Sequence, residues 1–355
     1  MHRGGIGRKG IAWASAIAVA FGLGRTSHAQ LTPDRTYYGV KRAMPMTVLV
    51  PPKADGKPRE GEVRIDLFEV DDVDPVATAP VLAGKVDVAS LFPVVWSGPN
   101  PKVRYAQLVV GGEQVGPPVV LQPLVSPPRA VLVEPRTNAV WWRDPKSNAP
   151  SFDARQGELA WSVEPPVYSG VRAYVDQWVE VETSLGTITF RLRPDVAPNT
   201  AWNFRELVRG GFYTDQIVPR VVNRTPSGAP FVIQLGDPTG TRQGGPGYTI
   251  DLEPSTLAHD FGVLSMARAE DPNTGGSQVF VALSRDGTKA LDGKYASFGQ
   301  AVAGAEAIVA ISRVEVTGDR PNDPPLVVEA RLVDAPAYSK TPSPAKRPEE
   351  KPGKR

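Results

Sequence analysis

WVEVETSLGTITFRL (residues 178–192) and PNTAWNFRELVRGG (residues 198–211) are the two strings whose spacing decides how this chain folds. In the first, Val179 and Val181 alternate with Glu180 and Glu182, Leu185-Gly186 supplies a turn, and Ile188, Phe190 and Leu192 alternate with Thr189 and Arg191. Period-two alternation on both sides of a glycine turn predicts a β-hairpin with one buried face. In the second string the period becomes helical. Pro198-Asn199-Thr200 opens the helix, Ala201, Phe204, Leu207 and Val208 share a face, and Gly210-Gly211 closes it. A shorter helix is expected around Gly304 to Arg313, where Ala305, Ile308 and Ile311 are apolar. Between the helices the chain is turn-rich and strand-forming, which predicts a closed antiparallel barrel capped by two helices, spanning residues 176–336.

Working outward, 37 prolines in 355 residues are about twice the ~5% average and favour strands and turns over long helices. Short β-like runs at Met46 to Val50, Val63 to Val70, Val86 to Leu91, Val103 to Val110 and Pro118 to Leu124 predict a small antiparallel β-sandwich over residues 30–125. Its Asp71, Asp72 and Asp74 read as a solvated turn, with a weak calcium site as the alternative. Residues 126–175 are rich in proline and polar side chains but carry Trp141, Trp142 and Trp161, which need a surface to cover. They predict an ordered linker docked on a neighbouring domain. Residues 337–355 combine prolines and basic groups with Tyr338 as the main apolar side chain, and predict a disordered basic tail.

Arg3, Arg8 and Lys9 precede an apolar run from Ile11 to Leu23, and Ser27-His28-Ala29 follows. This is the pattern of a signal peptide over residues 1–29, cleaved after Ala29, with an exported destination (periplasm or extracellular). The run falls short of the roughly 20 residues that span a bilayer, so no stable membrane span is expected after cleavage; a retained anchor is the alternative. The chain has no cysteine, so no disulfide framework is available. Without residues 1–29 the chain holds 36 basic against 38 acidic side chains, and residues 30–336 hold 30 against 36. Such a body is a poor nucleic-acid binder, and no nucleic-acid partner is expected.

Several chemistries lack their residues. His259 is the one histidine after residue 29, too few for a histidine-based zinc site. Gly275-Gly276-Ser277-Gln278-Val279 begins like a nucleophile elbow but lacks its final glycine, and only His259 could serve as base. The glycine-rich stretch from Gly236 to Gly247 has neither a following lysine-serine pair nor dinucleotide-binding spacing.

What remains is a series of strings in fixed order. Phe231-Val232-Ile233-Gln234 comes first, then Gly236-Asp237-Pro238-Thr239-Gly240 and Gly244-Gly245-Pro246-Gly247-Tyr248. Gly262 to Ala269 (GVLSMARA), Pro272 to Val281 (PNTGGSQVFV) and Leu291-Asp292-Gly293-Lys294-Tyr295 ahead of Phe298-Gly299 complete it. These strings closely resemble the cyclophilin family of peptidyl-prolyl cis/trans isomerases over about Trp178 to Val316. The resemblance implies an eight-stranded antiparallel barrel with two capping helices, and hence a mainly β chain overall. It implies rotation about X-Pro bonds as the activity and proline-containing polypeptides as substrates. No cofactor or metal is implied, and the oligomeric state is left open.

By the same resemblance Arg220 is the catalytic cation, Phe231, Val232, Phe280 and Leu291 line an apolar proline pocket, and Gln234 bonds the substrate backbone. The main chain around Arg268 and Ala269 anchors an extended peptide, Gln278 orients Arg220 or its partners, and Tyr295 adjoins the groove. The chain departs from the family pattern at Val218-Pro219 ahead of Arg220, where Phe-His is usual. It departs again in the extra loop Asn223 to Pro230, and at Ala290, Tyr295 and Arg268 in place of a tryptophan, a histidine and an asparagine. Arg224 is the alternative cation if that loop shifts the register. The alternative function is a low-activity or inactive peptide-binding module whose N-terminal sandwich recruits an envelope partner.

Overall fold

The computed structural model describes residues 30–96, 101–162 and 164–349; the expected signal peptide, residues 1–29, lies outside them. The chain is mainly β. Its C-terminal part is a curled antiparallel sheet in the order Gln216–Ile217, Leu326–Asp334, Gln177–Thr183, Gly186–Leu192, Ser297–Ala303, Val263–Met266, Val279–Ala282, Val232–Leu235, Arg220–Val222. The first and last of these strands are the two arms of one bent segment, broken only at Val218-Pro219. The sheet counts nine strands where eight were expected because this one segment contributes two of them.

The expected hairpin forms in register, with Val179 opposite Phe190 and Val181 opposite Ile188. The inward face of this sheet packs Val179, Val181, Ile188, Phe190, Leu264, Val281 and Phe298 against Phe204 and Val208 of the helix Pro198–Arg209 and Ile308 and Ile311 of the helix Ala305–Ser312. The first helix starts at Pro198 with no capping side chain on Ala197. Its free amides are met from a distance instead: Asn199 and Thr200 donate their N–H groups to the buried Glu253 carboxylate at 3.0 and 2.7 Å, and the Thr200 hydroxyl does so at 2.8 Å.

The N-terminal part holds a seven-stranded antiparallel sheet and a three-stranded sheet, Leu31–Pro33, Pro45–Val48 and Gly84–Asp87, over one shared core that includes Met46, Val48, Ile65, Leu67, Leu108 and Leu121. Two readings of domain extent change in detail. Tyr168–Val175, assigned to the linker, is an inner strand of the larger N-terminal sheet, between the edge strand Tyr37–Gly39 and Val119–Val125. The rest of the linker forms a hairpin, Ala130–Val133 with Glu158–Trp161, which packs Ala130, Leu159 and Trp161 on the C-terminal core. Asp71 lies in an exposed turn, as expected, and from there also reaches Arg191 and Arg193 at 3.1 and 3.3 Å.

Residues 337–349, expected to be disordered, instead cross between the two parts. The Tyr338 ring stacks on Phe68 at 4.4 Å and its N–H donates to Gln107, while Ala345 donates to the Ala301 carbonyl and Arg347 to that of Leu283. One aromatic anchor and a few main-chain bonds hold a segment whose average composition argues for solvent.

Candidate active site

Three neighbouring strands build the site. Arg220 pairs with Gln234 across Arg220–Val222 and Val232–Leu235, and Gln234 pairs with Phe280 across to Val279–Ala282. Residues directly opposite in an antiparallel ladder share a face, so a cation, an amide and an aromatic ring stand side by side. They open onto a cavity of about 190 Å³ lined by Arg220, Phe231, Val232, Gln234, Ala267, Arg268, Phe280, Leu291 and Tyr295. A larger cavity of about 610 Å³ shares Gln234, Ala267 and Arg268 with it and adds Ala269, Gln278 and Arg242 among others.

A hydrogen-bond chain crosses the floor. Arg220 Nη1 donates to Gln234 Oε1 at 3.1 Å, Gln234 Nε2 to Gln278 Oε1 at 2.8 Å, and Gln278 Nε2 to the Gly244 carbonyl at 2.8 Å. Glycine is needed at 244 because a Cβ there would meet Asp237 Oδ1 at 2.1 Å. The other edge of the guanidinium, Nε, donates to Asp319 Oδ2 at 2.9 Å, and Arg242 Nη1 donates to both oxygens of the same carboxylate.

The aromatic wall is Phe280, with Tyr295 edge-on at 5.6 Å and His259 stacked behind at 5.7 Å. Arg268 lies over the Tyr295 ring at 4.7 Å and is fastened by donation to the Lys294 and Ala269 carbonyls. Ala290 is exposed and does not line the cavity, whereas Tyr295 and Arg268 do.

His259 is fully buried, with Nδ1 3.0 Å from Asp292 Oδ1 and Nε2 2.9 Å from Ser265 Oγ. Burial pushes its imidazole pKa down, against the pull of Asp292. The trio has the connectivity of a hydrolytic triad, but Ser265 is as inaccessible as His259. Ser277, the elbow-like serine, is buried elsewhere and donates to the Gly236 carbonyl. This set supports the wall rather than attacking a substrate.

All ten residues singled out from sequence lie on these two cavities: Arg220, Phe231, Val232, Gln234, Arg268, Phe280, Leu291 and Tyr295 on the smaller, Ala269 and Gln278 on the larger. Arg224, the alternative cation, lines neither. Sequence reasoning missed Asp319, which reaches Arg220 from 99 residues away, and Arg242, which pairs with Asp319; no local pattern marks either.

The arrangement can hold a short extended chain with an apolar ring in the smaller cavity and present a fixed cation to it. The sequence model of the family described as cyclophilin type peptidyl-prolyl cis-trans isomerase/CLD matches residues 178–332. The curated peptidyl-prolyl cis-trans isomerase-like 1 of Gibberella zeae is 36% identical over 162 residues, which are 44% of this chain and 94% of that protein. The human protein of the same name is 37% identical over 165 residues, again 44% of this chain and 94% of the relative. Among solved structures, a Cryptosporidium parvum cyclophilin type peptidyl-prolyl cis-trans isomerase, crystallised in the presence of the dipeptide Ala-Pro, is 31% identical. It covers 45% of this chain and 100% of its own, with a TM-score of 0.41.

Proposed function

The chain belongs to the cyclophilin-type peptidyl-prolyl cis-trans isomerase family and is an isomerase, and from that premise we propose that Arg220 drives rotation about X-Pro bonds of exported polypeptides. The observation that carries the reading is the register of Arg220, Gln234 and Phe280 over one small cavity.

The uncatalysed rotation is slow because it breaks amide resonance, a barrier of roughly 18–20 kcal/mol. In the twisted transition state the prolyl nitrogen regains a lone pair, so a cation or donor beside it binds that state better than either planar isomer. The planar, delocalised Arg220 guanidinium supplies that partner. Phe231, Val232, Phe280 and Leu291 grip the proline ring, Gln234 takes the substrate backbone, and the main chain at Arg268 and Ala269 holds the extended peptide. Each ~1.4 kcal/mol of selective stabilisation is about tenfold in rate, and a preorganised donor aimed directly at the developing charge accounts for about two to three powers of ten.

In an exchange assay on a short Ala-Pro peptide, Arg220→Ala is expected to lower kcat/KM by roughly 100- to 1,000-fold, as loss of such a contact requires. A specific observation supports a second reading, a slow peptide-binding module: Asp319 shares the charge of Arg220. That reading predicts wild type and Arg220→Ala to be equally slow while both bind the peptide. The exported setting rests on residues 1–29, and fusing them to a reporter active only outside the cytoplasm should give signal; a silent, cytoplasmic fusion would remove it.

A further inference from the structure

Asp319 occupies the tip of the hairpin that joins Val316–Thr317 to Arg320–Pro321. Gly318 ahead of it takes a φ of +69°, the left-handed value that a two-residue hairpin loop opening on glycine uses. The Asp319 carbonyl accepts the Val221 N–H at 2.9 Å, so the tip is tied to the strand Arg220–Val222 through the main chain as well. Its side chain then meets Arg220 Nε at 2.9 Å and Arg242 Nη1 at 2.8 Å. With Gln234 on Nη1, the Arg220 guanidinium is held at two edges by elements far apart in sequence. Asp319 lines neither cavity, whereas Arg220 belongs to the smaller and Arg242 to the larger.

We propose that Asp319 is a positioning residue for the isomerisation: it aims the Arg220 guanidinium at the bound imide, and Arg242 holds the carboxylate and offsets its charge. This role rests on the reading of Arg220 above. A long side chain on a short strand otherwise samples several rotamers, and a charge stabilises a transition state well only when it is in place beforehand. A carboxylate alone would aim the cation and also cancel it. With two arginines on one aspartate the trio keeps a net positive charge, so the field at the prolyl nitrogen stays cationic.

The test is a double-mutant cycle in the full chain on an Ala-Pro peptide. Asp319→Ala is expected to lower kcat roughly 10- to 100-fold with KM within about twofold, the size of one lost charge-assisted contact. It is expected to cause no further loss in an Arg220→Ala background, and Asp319→Glu should recover part of the rate. Wild-type kcat in Asp319→Ala overturns the role. So does a loss that persists after Arg220 is removed, because Asp319 would then act through the fold. If Arg220→Ala itself keeps the wild-type rate, the catalytic reading of Arg220 fails first and takes this role with it; a slow Arg220→Ala beside an unaffected Asp319→Ala sinks this role alone.

Discussion

Gln278 shows how much one amide decides here. Its oxygen accepts from Gln234 and its nitrogen donates to Gly244, so it spans the smaller cavity's cation chain and the glycine-rich wall of the larger one. Gln278→Leu keeps the volume and removes both bonds. It is expected to lower kcat/KM about tenfold, the worth of roughly one net hydrogen bond, and to leave the melting temperature within a few degrees. An unchanged kcat/KM would mean that Gln234 and Arg220 hold their places unaided. At this scale the site was legible through the resemblance carried by its short strings, and the sheet then brings three of those strings onto neighbouring strands, although not in chain order. Asp319 was not legible: its relation to Arg220 exists only once a hairpin 99 residues on folds back against the strand Arg220–Val222. Arg242 was missed for the same reason, as a residue in a turn-rich loop whose partner is that hairpin.

Elements with clean periods were readable and those with interrupted ones were not. The hairpin at Gln177–Thr183 and Gly186–Leu192 and the helix Pro198–Arg209 followed from alternation and from a 3.6-residue face. Tyr168–Val175 escaped because Pro165 and Pro166 precede it and a register shift between Tyr168 and Gly170 breaks its alternation. Gly170 there has a φ of +151°, and a Cβ on it would meet the Tyr38 carbonyl at 2.1 Å, so the glycine that weakened the strand signal admits the neighbouring strand. The helix start was readable from Pro198, but its cap was not, since Glu253 arrives from 54 residues on. Burial pushes that carboxyl's pKa up while the Asn199 and Thr200 donors pull it down. A buried acid at a helix N-terminus is thus a compromise between desolvation and the free amides it satisfies.

Across the whole molecule the N-terminal sheets and the curled sheet meet through charge and aromatic contact. Asp71 bridges Arg191 and Arg193, Arg172 lies over Trp202 at 4.4 Å, and Tyr338 returns to Phe68. Asp176 sits where one sheet passes into the other, and burial pushes its carboxyl up to about 6 against the pull of Arg191 and Arg205. A folded-state pKa above the ordinary 3.8 means that the native chain binds this proton more tightly than the unfolded one. Asp176 therefore takes away stability as pH rises from near 4 through about 6, and the loss is complete above that. Asp176→Asn should melt above wild type at pH 8 and approach it near pH 4. A variant less stable than wild type at pH 8 would show that the pairing with Arg191 and Arg205 outweighs burial. The bend at Val218-Pro219 has a consequence for timing. The arm Gln216–Ile217 pairs with Leu326–Asp334, more than a hundred residues further on, while the arm beginning at Arg220 faces the groove. On the ribosome that partner emerges more than a hundred residues after the arm, so a nascent copy carries the arm beside its arginine unpaired over that interval, and a complete groove waits on the later strand.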